Sequence, residues 1–326
     1  MVKKSSRELT KTWPYKRYAD FEKRLRDAAT KWFKDNGCQT KPDMPYCLES
    51  FGMWDQNLIT DEVREYIKGE VENKSANDPF PAHKYLHHGL SSQAMGFNLI
   101  GSMAVLDDFT PLRQVLKEKK IELPGSTDAV RFEHDDRKVF NEDVGQPTSI
   151  DVTYTDGKEN VFIEVKLAEK EFGGCSIFKT GDCAGANPCK SRFNSCFLHH
   201  IGRKYWDLAK ENGLLETDFF KGPICPFASN YQFFRELLFA LEKNGSYVLL
   251  HDARSPVFTN EAKVGVAEDG TAYPETGLWP MLKQSLPKEV RSKMARITVQ
   301  EMLTAGENMP IHEDWIAEFK KKYGIV

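Results

Sequence analysis

Residues 147–167 of this 326-residue chain constrain its fold more than any other stretch. Two runs, 148–155 and 160–167, are rich in Val, Ile, Thr, Tyr and Phe, and the turn residues Asp156 and Gly157 lie between them. Short β-branched and aromatic runs on either side of an Asp-Gly pair are typical of two antiparallel strands and their turn. The stretch therefore predicts a β-hairpin.

The alternation of side chains along a strand places three charged residues on one face of this hairpin. Asp151 shares that face with Glu164 and Lys166, and most apolar residues point the other way. A four-residue loop would set Asp151 directly across from Glu164, whereas a two-residue loop would make them diagonal neighbours, roughly 7–8 Å apart at the backbone. In either register one cation could bridge the two carboxylates.

Paired carboxylates followed by a lysine suit the chemistry of phosphate esters. Two carboxylates this close repel unless a proton or a metal lies between them, and hard ions such as Mg²⁺ bind carboxylate, water and phosphate oxygens. The Lys166 ammonium could stabilise negative charge on a phosphate, or orient and help deprotonate an attacking water. The alternative is a half-buried sheet whose solvent face carries Asp, Glu and Lys, which is common. The spacing alone favours neither interpretation.

Asp151 and the later triplet Glu164-Val165-Lys166 resemble the Asp…Glu-x-Lys signature of the PD-(D/E)XK nuclease superfamily, which has the restriction-endonuclease-like fold. A longer ordered set is similar to a bacterial branch of predicted restriction endonucleases. Its members in this chain are Ser91-Ser92-Gln93, Asn98, Glu133, Thr148-Ser149-x-Asp151, Glu164-Val165-Lys166 and Tyr231-Gln232-Phe233-Phe234-Arg235. One departure is that Gly145-Gln146-Pro147 replaces the Pro-Asp dipeptide of the family.

The resemblance implies an α/β fold, a mixed sheet flanked by helices with an αβββαβ core, and a metal-dependent endonuclease that acts on DNA. Lys166 would position the attacking water, and Gln232 would join the catalytic set. The groups that would hold one or two Mg²⁺ or Mn²⁺ ions are Asp151, Glu164, Glu133 and the backbone carbonyl of Val165. As an alternative to this role, Glu133 could form a structural ion pair with Arg131 or Arg137.

Further polar residues of the resembling set are candidates for contacts with nucleic acid. Gln93 and Asn98 follow a serine that can cap a helix, and their amides could bond to phosphates, base edges or the carboxylates. Such amides more often bridge backbone groups. Arg235 lies three residues after Gln232 on a predicted helix, so both share one side of it. Arg235 could grip a phosphate, or it could pair with a neighbouring glutamate.

The chain as a whole does not attract nucleic acid, because its formal net charge is −3. A DNA-binding surface would have to be local, and residues 190–204 combine bases with aromatic side chains and contain no acid. A basic, solvated helix face is the alternative. The bases expected to contact phosphates are Lys190, Arg192, Arg203 and Lys204.

The segment after the hairpin is rich in cysteine. Because a reducing cytosol disfavours disulfides, a second metal site holding zinc or an iron–sulfur cluster is one interpretation, and unligated thiols are the other. The spacings contain no Cys-x-x-Cys pair, which most zinc ribbons use, and they do not reproduce the usual pattern of superfamily members with an iron–sulfur cluster. The cysteines in question are Cys175, Cys183, Cys189 and Cys196.

The remaining patterns divide the chain into three parts. We expect an N-terminal helical elaboration at 1–82, the nuclease-like core at 83–255 with a cysteine-rich insertion at 173–200, and a C-terminal elaboration at 256–326. One elaborated domain and two closely packed units are both compatible with this length. Other predicted elements are helices at 21–33, 110–120, 201–210, 230–243 and 313–323, and strands at 129–134, 246–252 and 296–300.

Missing motifs narrow the function classes further. No apolar run approaches the ~20 residues needed to cross a bilayer, and no secretory signal is recognisable, so we expect a cytoplasmic protein. Walker, Gly-x-Ser-x-Gly and His-Glu-x-x-His motifs are missing as well. The rivals of a DNA nuclease are a DNA-binding or scaffolding protein with a structural metal module, and a hydrolase of another phosphodiester such as RNA. A homodimer would suit cleavage of both strands of a duplex.

Overall fold

The computed structural model describes residues 15, 17–74, 80–125, 130–145, 147–156, 159–190, 193–259, 263–266 and 272–326. Only the backbone is described for residues 190, 263–266 and 272–276. All structural statements below concern these parts of the chain. The predicted turn residue Gly157 and the predicted contact Arg192 lie outside them.

A five-stranded mixed sheet lies at the centre of this α/β fold. Its strands are β3 (Val130–Asp135), β4 (Ser149–Thr155), β5 (Asn160–Lys166), β6 (Ser246–His251) and β9 (Met294–Thr298), and they lie in that order in the sheet. β3, β4 and β5 are antiparallel, whereas β6 runs parallel to β5 and β9 runs parallel to β6. Two small hairpins lie outside the sheet, β1 (Thr40–Lys41) with β2 (Met44–Leu48) and β7 (Lys263–Val266) with β8 (Ala272–Thr276).

Helices surround the sheet and supply its crossovers. Antiparallel neighbours need only turns, but the parallel step from β5 to β6 needs a long connection, which ends in the longest helix of the second half (Pro226–Glu242). The helices of the first half are α1 (Tyr18–Asp35), α2 (Asp61–Glu72), α3 (Ser92–Gly96), α4 (Ser102–Val105) and α5 (Thr110–Glu118). Those of the second half are α6 (Ser176–Thr180), α7 (Phe197–His200), α8 (Tyr205–Glu211), α9 (Asp218–Lys221), α10 (Pro226–Glu242), α11 (Leu278–Gln284), α12 (Lys288–Ser292), α13 (Val299–Gly306) and α14 (Glu313–Tyr323).

The predicted elements are present, with shifted ends. The hairpin strands begin and end within one residue of the predicted bounds, and the terminal helix has the predicted bounds. α10 begins earlier than predicted because Pro226 starts it, and Asn230 inside it has non-helical angles (φ −127°, ψ 41°). Proline is well suited to a first helical position, since its missing N–H would have no partner there. A π-helical stretch, Phe97–Gly101, separates α3 from α4.

Both faces of the central sheet are buried. On β5, Phe162 on one face and Ile163 on the other are each 1% exposed or less. One continuous apolar cluster runs from Tyr15 in the first part of the chain to Tyr323 in the last. The predicted division into three parts stays a prediction. No helix in the described ranges is long and apolar enough to span a bilayer.

Candidate active site

The hairpin register brings Asp151 to Glu164. The ladder of β4 and β5 ends at the pair Val152 and Ile163, and the next residues along the two strands are Asp151 and Glu164. The register predicted for a four-residue loop is thereby confirmed. Oδ2 of Asp151 accepts a hydrogen bond from the backbone N–H of Val165 at 2.8 Å. One carboxylate oxygen is fixed by this bond, and the side chain stays partly exposed.

Glu164 and Lys166 form a buried ion pair on β5. The Lys166 Nζ lies 2.5 Å from Oε1 of Glu164. Glu164 is 1% exposed and Lys166 is 4% exposed, so neither belongs to a solvated face of the sheet. The alternative interpretation of these charges as surface residues is therefore excluded.

Gln232 on α10 joins both members of this ion pair. Its Nε2 donates to Oε1 of Glu164 at 2.8 Å, and its Oε1 accepts from Nζ of Lys166 at 2.9 Å. An amide that donates to the carboxylate and accepts from the ammonium fixes the orientation of both side chains. The structure thus brings the predicted residue Gln232 to the predicted Glu and Lys.

The segment that leaves β5 sets the position of α10 over the strand. Gly174 lies so close to this helix that a Cβ there would come within 2.4 Å of the Ala228 carbonyl oxygen. The Tyr231 N–H donates to the Gly173 carbonyl at 2.9 Å. Glycine permits this approach because it has no side chain. The contact fixes Gln232, which follows Tyr231 directly.

Glu133 lies on β3, opposite Asp151. The register pairs the residues on either side of Glu133 with those on either side of Asp151. Glu133 has a left-handed backbone (φ +51°), which costs a non-glycine residue roughly 1–2 kcal/mol and is found at functional sites. In the described structure Glu133 forms no ion pair with Arg131 or Arg137. Instead, Ser149 donates to its Oε2 at 3.1 Å and Gln93 donates to its Oε1 at 2.7 Å.

Gln93 reaches Glu133 from the start of α3. Ser91 caps this helix, because its side chain accepts from the Ala94 N–H. Gly96 packs against β5, and a Cβ there would lie 3.3 Å from Val165. The crevice between this helix and the sheet is lined by Gln93, Gly96, Phe97, Phe132, Glu133, Asp151, Val152 and Val165.

The carboxyl groups of the site resist ionisation. Burial raises the pKa of Asp151 well above its ordinary value, and the charge of Glu164 raises it further, against the opposing effect of Lys166. Burial and the Asp151 charge raise the pKa of Glu133 to about 8. Although burial lowers the pKa of Lys166, the surrounding acids, Glu164 foremost, raise it above the ordinary value. Lys166 is therefore an ammonium, and the carboxyls would gain from a cation among them.

Glu236 is a residue of this site that the sequence reasoning missed. It is 2% exposed on α10, lies beside Glu164 and accepts from the Tyr247 hydroxyl at 3.4 Å. Burial raises its pKa to about 7, while Lys166 opposes the shift. Its position four residues after Gln232 puts it on the same helix face. This spacing of four residues is the sequence signal that could have identified Glu236 as part of the site.

Glu169 is a second acidic residue that was not predicted from the sequence, and it lies just after the end of β5. Its Oε1 accepts from the Ser92 hydroxyl at 2.6 Å, and its Oε2 accepts from the Leu167 N–H at 2.7 Å. Its charge contributes to the raised pKa of Lys166. Glu169 therefore ties the start of α3 to the strand that carries Lys166.

The donor set fits a hard divalent cation. Oε2 of Glu164 is buried and accepts no hydrogen bond, and Asp151 has one oxygen that Val165 does not use. Such an orphaned carboxylate oxygen is costly unless a cation approaches it. Among the described residues, no three carboxylates bring ligand atoms within 4.8 Å of one another.

The structure places two other predicted contacts in structural networks. Asn98 is fully buried, where it accepts from the Ile59 N–H at 2.9 Å and donates to the Tyr323 hydroxyl at 3.0 Å. In this conformation Asn98 has no surface to offer DNA. Arg235 donates to Oγ1 of Thr148 at 2.9 Å and to the Pro147 carbonyl at 3.3 Å. It therefore fastens the segment that leads into β4.

The predicted basic patch is partly described. Arg203 donates to the Val144 carbonyl at 2.6 Å, and Lys204 is exposed. The side chain of Lys190 is not described, and Arg192 lies outside the described residues. Of the two side chains that are described, Lys204 is exposed and Arg203 is half-buried.

The cysteine-rich segment encloses a hollow rather than a compact ligand set. Cys175, Cys183, Cys196 and Cys225 line this hollow, together with aromatic and aliphatic side chains. Cys189, which the sequence grouped with them, does not line it, and Cys225 takes its place. Within the described chain no three of these sulfur atoms lie within 4.8 Å of one another. A metal in this segment stays a prediction.

Comparison with known families gives a match over most of the chain. The family model described as "Restriction Endonuclease associating with ARP" matches residues 26–324, which include every residue of the site above. No curated protein and no solved structure gave a significant match.

Proposed function

The chain belongs to the family described as restriction endonucleases associating with ARP, and from this membership and the carboxylate site we propose that it is a metal-dependent endonuclease of DNA. The observation that carries the proposal is the joining of Asp151, Glu164, Lys166 and Gln232 across two strands and a helix. The succession of a helix, three antiparallel strands, α10 and the parallel strand β6 supports the αβββαβ core expected for such an enzyme.

Two carboxylates and one carbonyl would hold the ion, Mg²⁺ or Mn²⁺. Asp151 offers the oxygen that does not accept from Val165, Glu164 offers its orphaned Oε2, and the Val165 carbonyl is the third donor. Glu133, across from Asp151, is available for a second ion. When bound, a divalent ion lowers the pKa of its water and offsets charge on the phosphate.

Lys166 contributes a fixed positive charge rather than a base. Its raised pKa keeps it protonated, and the Glu164 carboxylate and the Gln232 amide orient it. A preorganised ammonium can stabilise charge that develops on the phosphate and orient the attacking water. Gln232 acts through Lys166 and Glu164, and it is therefore a positioning residue.

Cleavage assays with a panel of substrates test the proposal. Purified full-length protein is incubated with supercoiled DNA, linear duplex DNA or duplex RNA, in Mg²⁺, Mn²⁺ or EDTA. We expect cleavage of circular DNA that requires a divalent ion, since a circle has no ends for an exonuclease. Salt-dependent DNA binding without product in any metal would instead identify a binding module. Cleavage of RNA alone would identify a different phosphodiesterase.

A further inference from the structure

A second cluster of metal-ligating side chains lies outside the carboxylate site. It consists of Cys47 on β2 and two consecutive residues of the later turn, His87 and His88. One ligand atom of each of the three lies within 4.8 Å of the others. It is the one group of three or more such ligands in the described chain. No spacing in the sequence announces it, since about 40 residues separate the cysteine from the histidines.

The backbone holds the three residues together. Cys47 and His88 form an antiparallel bridge, and the Leu48 N–H donates to the His87 carbonyl at 3.0 Å. The Asn57 amide donates to the His88 carbonyl at 2.8 Å. Consecutive side chains diverge on a strand but can converge in a turn, and the two imidazole rings are 4.5 Å apart. The convergence therefore follows from backbone bonds that need no ligand.

The ligand atoms are buried and partly unused. Cys47 is fully buried and His87 is 7% exposed, and Nδ1 of His87 has no hydrogen-bond partner. An unpaired buried nitrogen is unfavourable, and a bound ligand would offset that cost. Burial raises the pKa of the Cys47 thiol, and the charge of Lys41 beside it opposes that shift.

We propose that Cys47, His87 and His88 bind a zinc ion, with water at the fourth position. One thiolate and two imidazoles form a mixed sulfur and nitrogen set that zinc prefers over Mg²⁺ or Ca²⁺. Zinc bonds of about 2.0–2.3 Å place tetrahedral ligand atoms roughly 3.5 Å apart, so small side-chain rotations close the present set around an ion. The proposal of a zinc ion at these residues does not rest on the proposed nuclease function.

The zinc ion would stabilise the turn that leads into α3 and, through it, the contacts of Gln93 with the carboxylate site. The turn that bears the histidines is followed directly by the cap and first residues of α3. The His83 N–H, at the start of this turn, donates to Oε1 of Gln93 at 2.9 Å. Gln93 in turn holds Glu133. A metal that ties the turn to β2 therefore stabilises the base of α3.

Cobalt substitution tests the site without any activity assay. Apo protein prepared with a chelator is titrated with Co²⁺ and followed by absorption, because a cobalt–thiolate bond gives a near-ultraviolet charge-transfer band that carboxylate ligands do not give. We expect one equivalent to produce this band with intense four-coordinate visible bands, and one equivalent of Zn²⁺ to remove both. A titration of wild-type protein without the band overturns the proposal.

Matched variants locate the metal among the seven cysteines of the chain. Cys47→Ser and His87→Gln should each weaken Co²⁺ binding at least about 10-fold. Cys175→Ser, in the hollow, and His200→Gln, on the surface, should leave it unchanged. A band that survives Cys47→Ser in folded protein, or that disappears in Cys175→Ser, assigns the metal elsewhere and contradicts the proposal. Circular dichroism of each apo variant verifies folding.

Discussion

The Lys166 ammonium lies 2.5 Å from the Glu164 carboxylate inside the sheet, and the Gln232 amide holds both. Charges buried this deeply are retained against a large desolvation cost, which a folded protein recovers only if each charge has its partner. The stability of the fold and the proposed cleavage reaction therefore depend on the same few atoms.

Removing the lysine should destabilise the fold. Lys166→Met leaves the Glu164 carboxylate buried without its cation, so we expect the free energy of unfolding to fall by about 3–5 kcal/mol in urea denaturation. Adding Glu164→Gln should recover part of the loss. Lys243→Met is the matched control, since Lys243 and Asp136 form a partly exposed pair, for which a smaller loss is expected. Equal effects at Lys166 and Lys243 would contradict the buried pair.

Gln232→Ala should impair catalysis through misplacement of its two partners. Loss of a group that orients a metal ligand typically costs about 10–100-fold in activity or metal affinity. We expect that reduction in the rate of metal-dependent cleavage, with a higher Mg²⁺ concentration at half-maximal rate. Gln114→Ala, at an exposed position on α5, is the control. A Gln232→Ala enzyme with wild-type rate and Mg²⁺ dependence would show that the bridge is only structural.

Arg235 and Lys204 should behave differently in DNA binding. Arg235→Ala removes the bonds to Thr148 and Pro147, so we expect a loss of about 1–3 kcal/mol in stability. The dependence of DNA affinity on salt should not change. Lys204→Ala should leave stability unchanged and reduce the slope of log affinity against log salt by about 0.9, the effect of one phosphate contact. If Arg235→Ala instead reduced the salt slope and left stability unchanged, Arg235 would be the phosphate ligand.

The pH dependence of stability should report on the carboxyl cluster. In the folded protein the pKa of Glu133 is raised from its ordinary 4.5 to about 8. Over about pH 5 to 8 the folded state keeps a proton that the unfolded chain has released, so this carboxyl makes metal-free stability fall as pH rises. Glu133→Gln should flatten that fall in thermal unfolding.

Magnesium should reverse the trend, because ionised carboxylates bind it better than protonated ones. We expect Mg²⁺ to raise the melting temperature more at pH 8 than at pH 6. An equal increase at both values would place the Mg²⁺ away from these acids.

The hairpin and its polar face could be predicted because strand alternation is written in local sequence. The register depended on the loop length, which Asp156 and the residues after it did not decide, and only the ladder up to Val152 and Ile163 settles it. Burial of Lys166 could not be predicted, since it depends on α10 and on β6, which follow much later in the chain.

Glu236, Glu169 and the cluster at Cys47 were not predicted from the sequence, each for a different reason. Glu236 had a local signal, its spacing of four from Gln232, but it stands beside Arg235 and resembled half of a surface pair. Glu169 reaches the site through Ser92, a contact made only by tertiary packing. The cluster of Cys47 with the two histidines arises from a single antiparallel bridge between distant segments.

Cleavage of supercoiled DNA by Asp151→Asn tests the central claim most directly. This variant keeps an oxygen that can accept from the Val165 N–H, and it removes the charge that a divalent ion requires. We expect a folded protein that yields no product in Mg²⁺ or Mn²⁺, beside a wild type and an Asp143→Asn control that both cut. Undiminished cleavage by Asp151→Asn would contradict a metal-dependent site at Asp151 and Glu164.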